Sequence, residues 1–150
     1  MVVPTEGRAR AFYNAAMFVH LRLHTEFSVV DGTNRIDEAV ASAAADGQPA
    51  LAISDLNNLF GAVKFYKAAR GKGVKPILGA EIVLEGEGSH PPARLVLLVQ
   101  GSQGYLNLSE LLARAWTRNA AKGQALCTWA WWEEFWFGLV ALLGVQAGPV

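Results

Sequence analysis

Hydrophobic and polar positions along the chain change period several times. Phe18, Val19, Leu21 and Leu23 supply β-prone apolar side chains without a helical repeat, so residues 17–24 are predicted to form a buried strand. The polar group Thr25, Ser28, Asp31 and Gly32 makes the loop that follows. Ile36, Ala39, Val40, Ala43 and Ala44 then recur at helical spacing. Asn34 is placed to cap this helix, Asp37 lies near its start, and Asp46-Gly47 ends it. A second strand, residues 50–54, starts after Pro49 and leaves through the polar loop Asp55, Asn57 and Asn58. Ala62, Val63, Phe65, Tyr66 and Ala69 give a second amphipathic helix with Lys64, Lys67 and Arg70 outside and Gly71 and Gly73 as its stop. Residues 76–84 read as a third strand interrupted by Gly79, and a turn over residues 86–92 leads into a fourth, residues 94–99. Gly104 precedes a helix carrying Leu108, Leu111, Leu112 and Ala115, and a last apolar strand runs over about Leu139 to Leu143.

Strands that alternate with helices and are apolar throughout predict an α/β fold, a mostly parallel sheet covered by outer helices, either open or closed into a barrel. Residues 1–16 read as an extension before the fold, and residues 17–150 as the domain itself. Residues 123–136 crowd Trp129, Trp131, Trp132 and Trp136 around Glu133 and Glu134. The expectation is a short amphipathic helix buried under the last strand; an aromatic contact surface for a partner is the alternative.

Composition narrows the class. Of 150 residues, 52% are hydrophobic, which excludes a disordered tail, and 13 basic residues against 13 acidic leave a formal net charge of zero. Zero net charge argues against non-specific nucleic-acid binding by this piece, because such binding needs a basic face. One cysteine, Cys127, excludes an internal disulfide and a cysteine metal cluster, in keeping with a cytoplasmic protein. The longest apolar run, residues 135–145, is about half of what a membrane helix needs, so no membrane association is expected.

In parallel α/β folds the ligand site lies beyond the carboxyl ends of the strands. The polar residues there are His20, Arg22, His24, Asp55 and Glu81. His20, Arg22 and His24 alternate and so share a face of their strand. Asp55 directly after an apolar run needs a positive partner or a role as a turn cap. Gly71-Lys72-Gly73 lacks the spacing of a phosphate loop, and neither a Gly-x-Ser-x-Gly nor a His-Glu-x-x-His motif is present.

The segments Phe18-Val19-His20-Leu21-Arg22-Leu23-His24-Thr25-Glu26-Phe27-Ser28, Asp31-Gly32, Ala50-Leu51-Ala52-Ile53-Ser54-Asp55, Asn58-Leu59-Phe60-Gly61-Ala62-Val63-Lys64-Phe65-Tyr66 and Lys75-Pro76-Ile77-Leu78-Gly79-Ala80-Glu81 together resemble the polymerase and histidinol phosphatase (PHP) domain. More narrowly they resemble the version that opens the alpha subunit of bacterial DNA polymerase III, and Gly104-Tyr105-Leu106-Asn107-Leu108 and Gly138-Leu139-Val140-Ala141-Leu142 continue the match. The resemblance implies a distorted (β/α) barrel with a multi-metal phosphoesterase site at the strand ends. In metal-binding members the first strand carries His-x-His, the second ends in Asp-His, the third supplies an acid and a histidine opens the fourth. On that pattern His24, Asp55 and Glu81 are retained ligand positions, while Arg22, Leu56 and Arg94 replace ligands and His20 is an additional residue lining the site.

Arginine has no lone pair for a cation and leucine no donor atom, so the set is degenerate and no catalysis or bound cofactor is expected in this piece. Arg22 and Arg94 are expected to stand in for metal as the positive partners of Asp55 and Glu81. The family further implies a parent polymerase using Mg²⁺ in a separate, later domain. Its partners would be the proofreading exonuclease (epsilon) subunit, other replicase subunits and DNA. This piece would then be a scaffold or exonuclease-docking domain. The alternatives are a metal-dependent phosphoesterase or 3′–5′ exonuclease of the same family, and a truncated protein-binding adaptor. A complete barrel typically needs about 200 residues or more, so a partial barrel with unpaired strand edges, prone to association, is expected.

Overall fold

The computed structural model describes residues 18–28, 31–86, 88–121 and 123–143. The expected extension over residues 1–16 lies outside them. Helix α1 (Ile36–Ala45) buries Ile36, Val40 and Ala43, and ends where Gly47 takes φ +69°. The N–H groups of Asp46, Gly47 and Gln48 close its last carbonyls. Asn34 does not cap it. Arg35 holds the cap position without a side-chain bond, and the Asn34 amide instead donates to the His24 carbonyl, because Asn34 pairs with Thr25 in a parallel bridge.

The predicted strand over residues 50–54 is shorter, β1 (Ala50–Ala52), and a separate strand, β2 (Asp55–Leu56), follows where a loop was expected. Two neighbours claim the backbone in between: the Ile53 N–H bonds the Ile77 carbonyl, the Ser54 N–H bonds the Leu23 carbonyl. Asp55 therefore starts a strand and is not part of an exit loop. Helix α2 (Ala62–Gly71) turns Ala62, Phe65 and Ala69 inward and leaves Val63 and Tyr66 exposed. Beyond it, β3 (Lys75–Ile77) and β4 (Gly79–Leu84) break at Leu78, and β5 (Ala93–Val99) follows. The remaining elements are α3 (Gly101–Arg118), the small hairpin β6 (Ala120–Ala121) and β7 (Gln124–Ala125), α4 (Trp129–Phe135) and β8 (Leu139–Leu143).

Pairing is parallel in the first half, β1 with β3 and β2 with β4, where a helix returns the chain to the same end of the sheet. It is antiparallel from β4 to β5 and from β5 to β8, which gives a four-stranded order β2-β4-β5-β8. The α/β class is as predicted. The first predicted strand is not buried: residues 20–23 run beside β1 with one bridge, His20 to Leu51, and Phe18 is 60% exposed. Its pairing is interrupted at Ser54, whose hydroxyl takes the Leu23 N–H in place of a backbone carbonyl.

One core joins Ala80, Ile82, Leu84, Leu95 and Leu97 of the sheet to Leu108, Leu111, Leu112 and Ala115 of α3. Another lies between α1, α2 and β1, centred on Phe65. A third, on the opposite face of β5, holds only Ala52, Val96 and Leu98, with Ile77 and Leu142 at its margin. Helix α4 is not buried under the last strand. Its Trp131, Trp132 and Phe135 are half-buried against the α3 core, Trp129 and Trp136 are exposed, and the Arg114 guanidinium lies 4.3 Å over the Phe135 ring. Among the described residues no helix is long and apolar enough to cross a membrane.

Candidate functional site

Strand β4 is buried along its whole length. Its even positions, Ala80, Ile82 and Leu84, face the α3 core, so period two sends Glu81 to the other face, where it is 2% exposed. A carboxylate so placed needs cations. Arg22 supplies a bidentate pair, Nε to Oε2 at 3.0 Å and Nη2 to Oε1 at 3.1 Å. His24, two residues along the same segment, brings Nε2 to 2.5 Å from Oε2. Arg94, from the start of β5, lies with Nη1 3.9 Å from Oε1.

The other ring nitrogen of His24, Nδ1, sits 2.8 Å from Oδ1 of Asp31, and Arg94 Nη1 donates to Asp31 Oδ2 at 3.0 Å. The five side chains thus alternate in sign, Arg22, Glu81, His24, Asp31, Arg94. Both nitrogens of His24 face carboxylate oxygens, which an imidazolium with two N–H donors satisfies. The bond to Glu81 accordingly raises the His24 pKa, the two carboxylate charges adding to it against the effect of burial. Burial pushes Glu81 upward, but His24 and Arg22 outweigh it and hold the carboxyl below the ordinary glutamate value. Asp31 behaves likewise: burial raises it, and Arg94 and His24 bring it below the ordinary aspartate value.

Asp55 stands outside this network. It is buried, and its oxygens accept from the Thr25 N–H at 2.6 Å and the Thr25 hydroxyl at 2.8 Å. Burial raises its pKa and the Thr25 bonds only partly offset that. The expected guanidinium partnership therefore exists for Glu81 and not for Asp55, since β2 places Asp55 against the loop after the first segment. Leu56 donates its N–H to the Ser28 hydroxyl at 2.9 Å, with a half-buried side chain. His20 is exposed, its ring edge-on to Phe18 with centroids 4.5 Å apart, and it does not join the cluster.

Asp31 escaped the sequence reading as a site residue because a loop aspartate has no periodicity. Its signal was Gly32: a Cβ there would lie 1.8 Å from the Thr25 carbonyl, so the loop turns tightly enough to return Asp31 to His24. The arrangement does not fit a divalent cation. Both Glu81 oxygens are engaged by Arg22, His24 meets Glu81 as a donor, and both Asp55 oxygens accept from Thr25. Among the described residues no group of three His, Cys, Asp or Glu side chains is placed to hold a metal ion.

Three comparisons bear on this geometry. The chain is 44% identical over 134 residues to the DNA polymerase III subunit alpha of Pseudomonas aeruginosa, a match covering 89% of this chain and 11% of that protein. It is 41% identical over 134 residues to the subunit alpha of Vibrio cholerae, covering 89% of this chain and 12% of that one. The chain thus spans about an eighth or less of the length of these curated relatives. Among solved structures it resembles an amidohydrolase from Chromobacterium violaceum with bound sulfate and no metal, at TM-score 0.53 and 24% identity over 65% of this chain and 32% of that one. A Bifidobacterium adolescentis protein assigned as a metal-dependent phosphoesterase also scores 0.53, at 24% identity over 67% of this chain and 33% of that one. These two likenesses concern the fold. The sequence model of the PHP domain matches residues 20–150, and the chain belongs to the PHP domain family.

Proposed function

We propose that this chain is the opening PHP segment of a replicative DNA polymerase alpha subunit, and that the segment is a structural and docking domain without phosphoesterase activity. The relatives at 41–44% identity support the first half of this reading. The observation that carries the second half is the occupancy of Glu81: Arg22 takes both of its oxygens and His24 donates to one of them. A guanidinium with two parallel N–H donors satisfies a buried carboxylate as a divalent ion would, but offers a phosphate ester neither a Lewis acid nor an activated water. In the parent, nucleotide addition would belong to a separate domain using Mg²⁺. This segment would hold replicase partners such as the proofreading exonuclease subunit.

Two measurements test the reading. Metal analysis of the purified chain after loading with Mn²⁺ or Zn²⁺ and dialysis is expected to find no stoichiometric ion, and model phosphodiesters should release no phosphate. A retained ion with phosphodiester cleavage would overturn the scaffold reading in favour of a metal-dependent phosphoesterase. An antibody against the chain should detect, in its own cells, a protein several times larger than 16.1 kDa. A band at 16.1 kDa would remove the polymerase parent.

A further inference from the structure

Residues 56–80 carry Lys64, Lys67, Arg70, Lys72 and Lys75 and no acidic residue, so the chain's formal neutrality conceals a basic stretch. All five are exposed. Lys64 is paired with Glu26 and Asp37, but among the described residues Lys67, Arg70, Lys72 and Lys75 make no ion pair. Arg70 alone answers the dipole at the end of α2. Toward the start of α2 the same outer face becomes apolar and aromatic. Phe60, Val63 and Tyr66, at three-residue spacing and so in line with Lys67 and Arg70, are 74%, 63% and 48% exposed.

Phe60 is also one wall of a cavity of about 310 Å³ between the loop after β2 and α3, whose other aromatic walls are Tyr105 and Trp116. Trp116 is 45% exposed and yet held in place, since its indole N–H donates to the Asn57 carbonyl at 2.7 Å. Asn57 is locked in turn at φ +54°, its N–H on the Glu81 carbonyl at 2.7 Å and its amide on the Ala125 carbonyl at 3.0 Å. A non-glycine residue in the left-handed region is uncommon, and such residues concentrate at ligand sites. The polar groups around the cavity are spent on the protein itself. Asn58 Nδ2 donates to the Phe27 and Leu56 carbonyls, its Oδ1 takes the Phe60 N–H, and the Ser109 hydroxyl donates to the Tyr105 carbonyl. What the cavity offers a ligand is ring faces, with little to bond a peptide main chain.

This surface is enclosed by elements of the described fold. Helix α1 packs against one flank of α2, and the loop that opens α2 meets α3 across the cavity. That loop follows β2, at one end of the sheet order β2-β4-β5-β8, and a sheet continued past β8 grows at the other end. Strand β4 separates the surface from the charge cluster, because Glu81 points away from the α3 core.

We propose that this face binds single-stranded nucleic acid, an unpaired base entering between Phe60, Tyr105 and Trp116 while the adjoining phosphates lie along Lys67, Arg70, Lys72 and Lys75. Stacking needs only a ring face and tolerates any base, and the four unpaired cations release counterions from the phosphates. An acidic peptide would share the charge complementarity but would leave its main chain without partners in the cavity.

Fluorescence anisotropy of a fluorescein-labelled oligothymidylate, titrated at low salt with the purified 150-residue chain, tests this. Saturable binding is expected, with the logarithm of the association constant falling linearly with the logarithm of the salt concentration. Lys67→Gln and Arg70→Gln should each reduce that slope by about 0.7. Phe60→Ala, which alters a side chain outside every core, should weaken binding about tenfold. All three variants should keep the circular dichroism of the parent chain. Absence of binding at low salt would overturn the proposal. So would an unchanged salt slope in both charge variants, or an unchanged affinity in Phe60→Ala. Displacement of the oligonucleotide by an oligoglutamate peptide of equal charge would overturn it in favour of an acidic protein partner.

Discussion

Glu81 organises its surroundings because a buried carboxylate accepts only donors. Arg22 and His24, two residues apart on an extended segment, reach it from one face, as alternation expects, although His20 at the same period stays outside and Glu81 as their shared partner was set by the fold. The Asp31 contact was not legible in the sequence, since only the tight loop at Gly32 brings it there. The charge states of the cluster give its pH dependence a sign. His24 has its pKa raised above 6.5, so its contribution is complete below that value and is lost as pH rises through the folded pKa. Glu81 and Asp31 are lowered from 4.5 and 3.8, so theirs is present above those values and lost as pH falls through the folded ones. The cluster therefore stabilises most between about 4.5 and 6.5. Urea midpoints measured upward from 6.5 should fall for the parent chain. His24→Gln should start about 2 kcal/mol lower and show a flatter profile; an unchanged slope would mean that His24 is not the titrating group.

Apolar runs located the elements, but their ends were set by neighbours. The third predicted strand breaks at Leu78 and not at Gly79, because Leu78 is where the chain passes from pairing with β1 to pairing with β2. Helix α3 begins at Gly101, before Gly104, which lies within it. Gly104 serves close approach: a Cβ there would sit 1.9 Å from the Gly138 carbonyl, at the turn that starts β8. The two glycine-led motifs noticed separately in the sequence thus touch. Gly104→Ala should cost about 1–3 kcal/mol in urea denaturation by forcing the helix off that turn, whereas Gln103→Ala, on the exposed side, should change stability little. A neutral Gly104→Ala would show that the contact yields.

At the scale of the molecule, two larger cores contrast with the face of β5 turned from α3, whose apolar cluster holds three buried residues, with Glu81 paired beside Val96. The Arg22–Glu81–His24–Asp31–Arg94 cluster ties the first segment to β4 and β5 across this thin region, where apolar contacts are few.

Local chemistry determined the α/β class, the three helices α1, α2 and α3, and β8, because the pattern of apolar positions reports which elements bury a face. The retained His24, Asp55 and Glu81 and the replaced Arg22, Leu56 and Arg94 were likewise visible as residue types at family positions. Only the tertiary structure decided who pairs with whom. It gave Glu81 its guanidinium and imidazole partners, gave Asp55 to Thr25, and left the first segment on an exposed edge. Those outcomes depend on contacts between segments tens of residues apart, and neither periodicity nor residue type along the chain records which distant group fills the space around a buried charge.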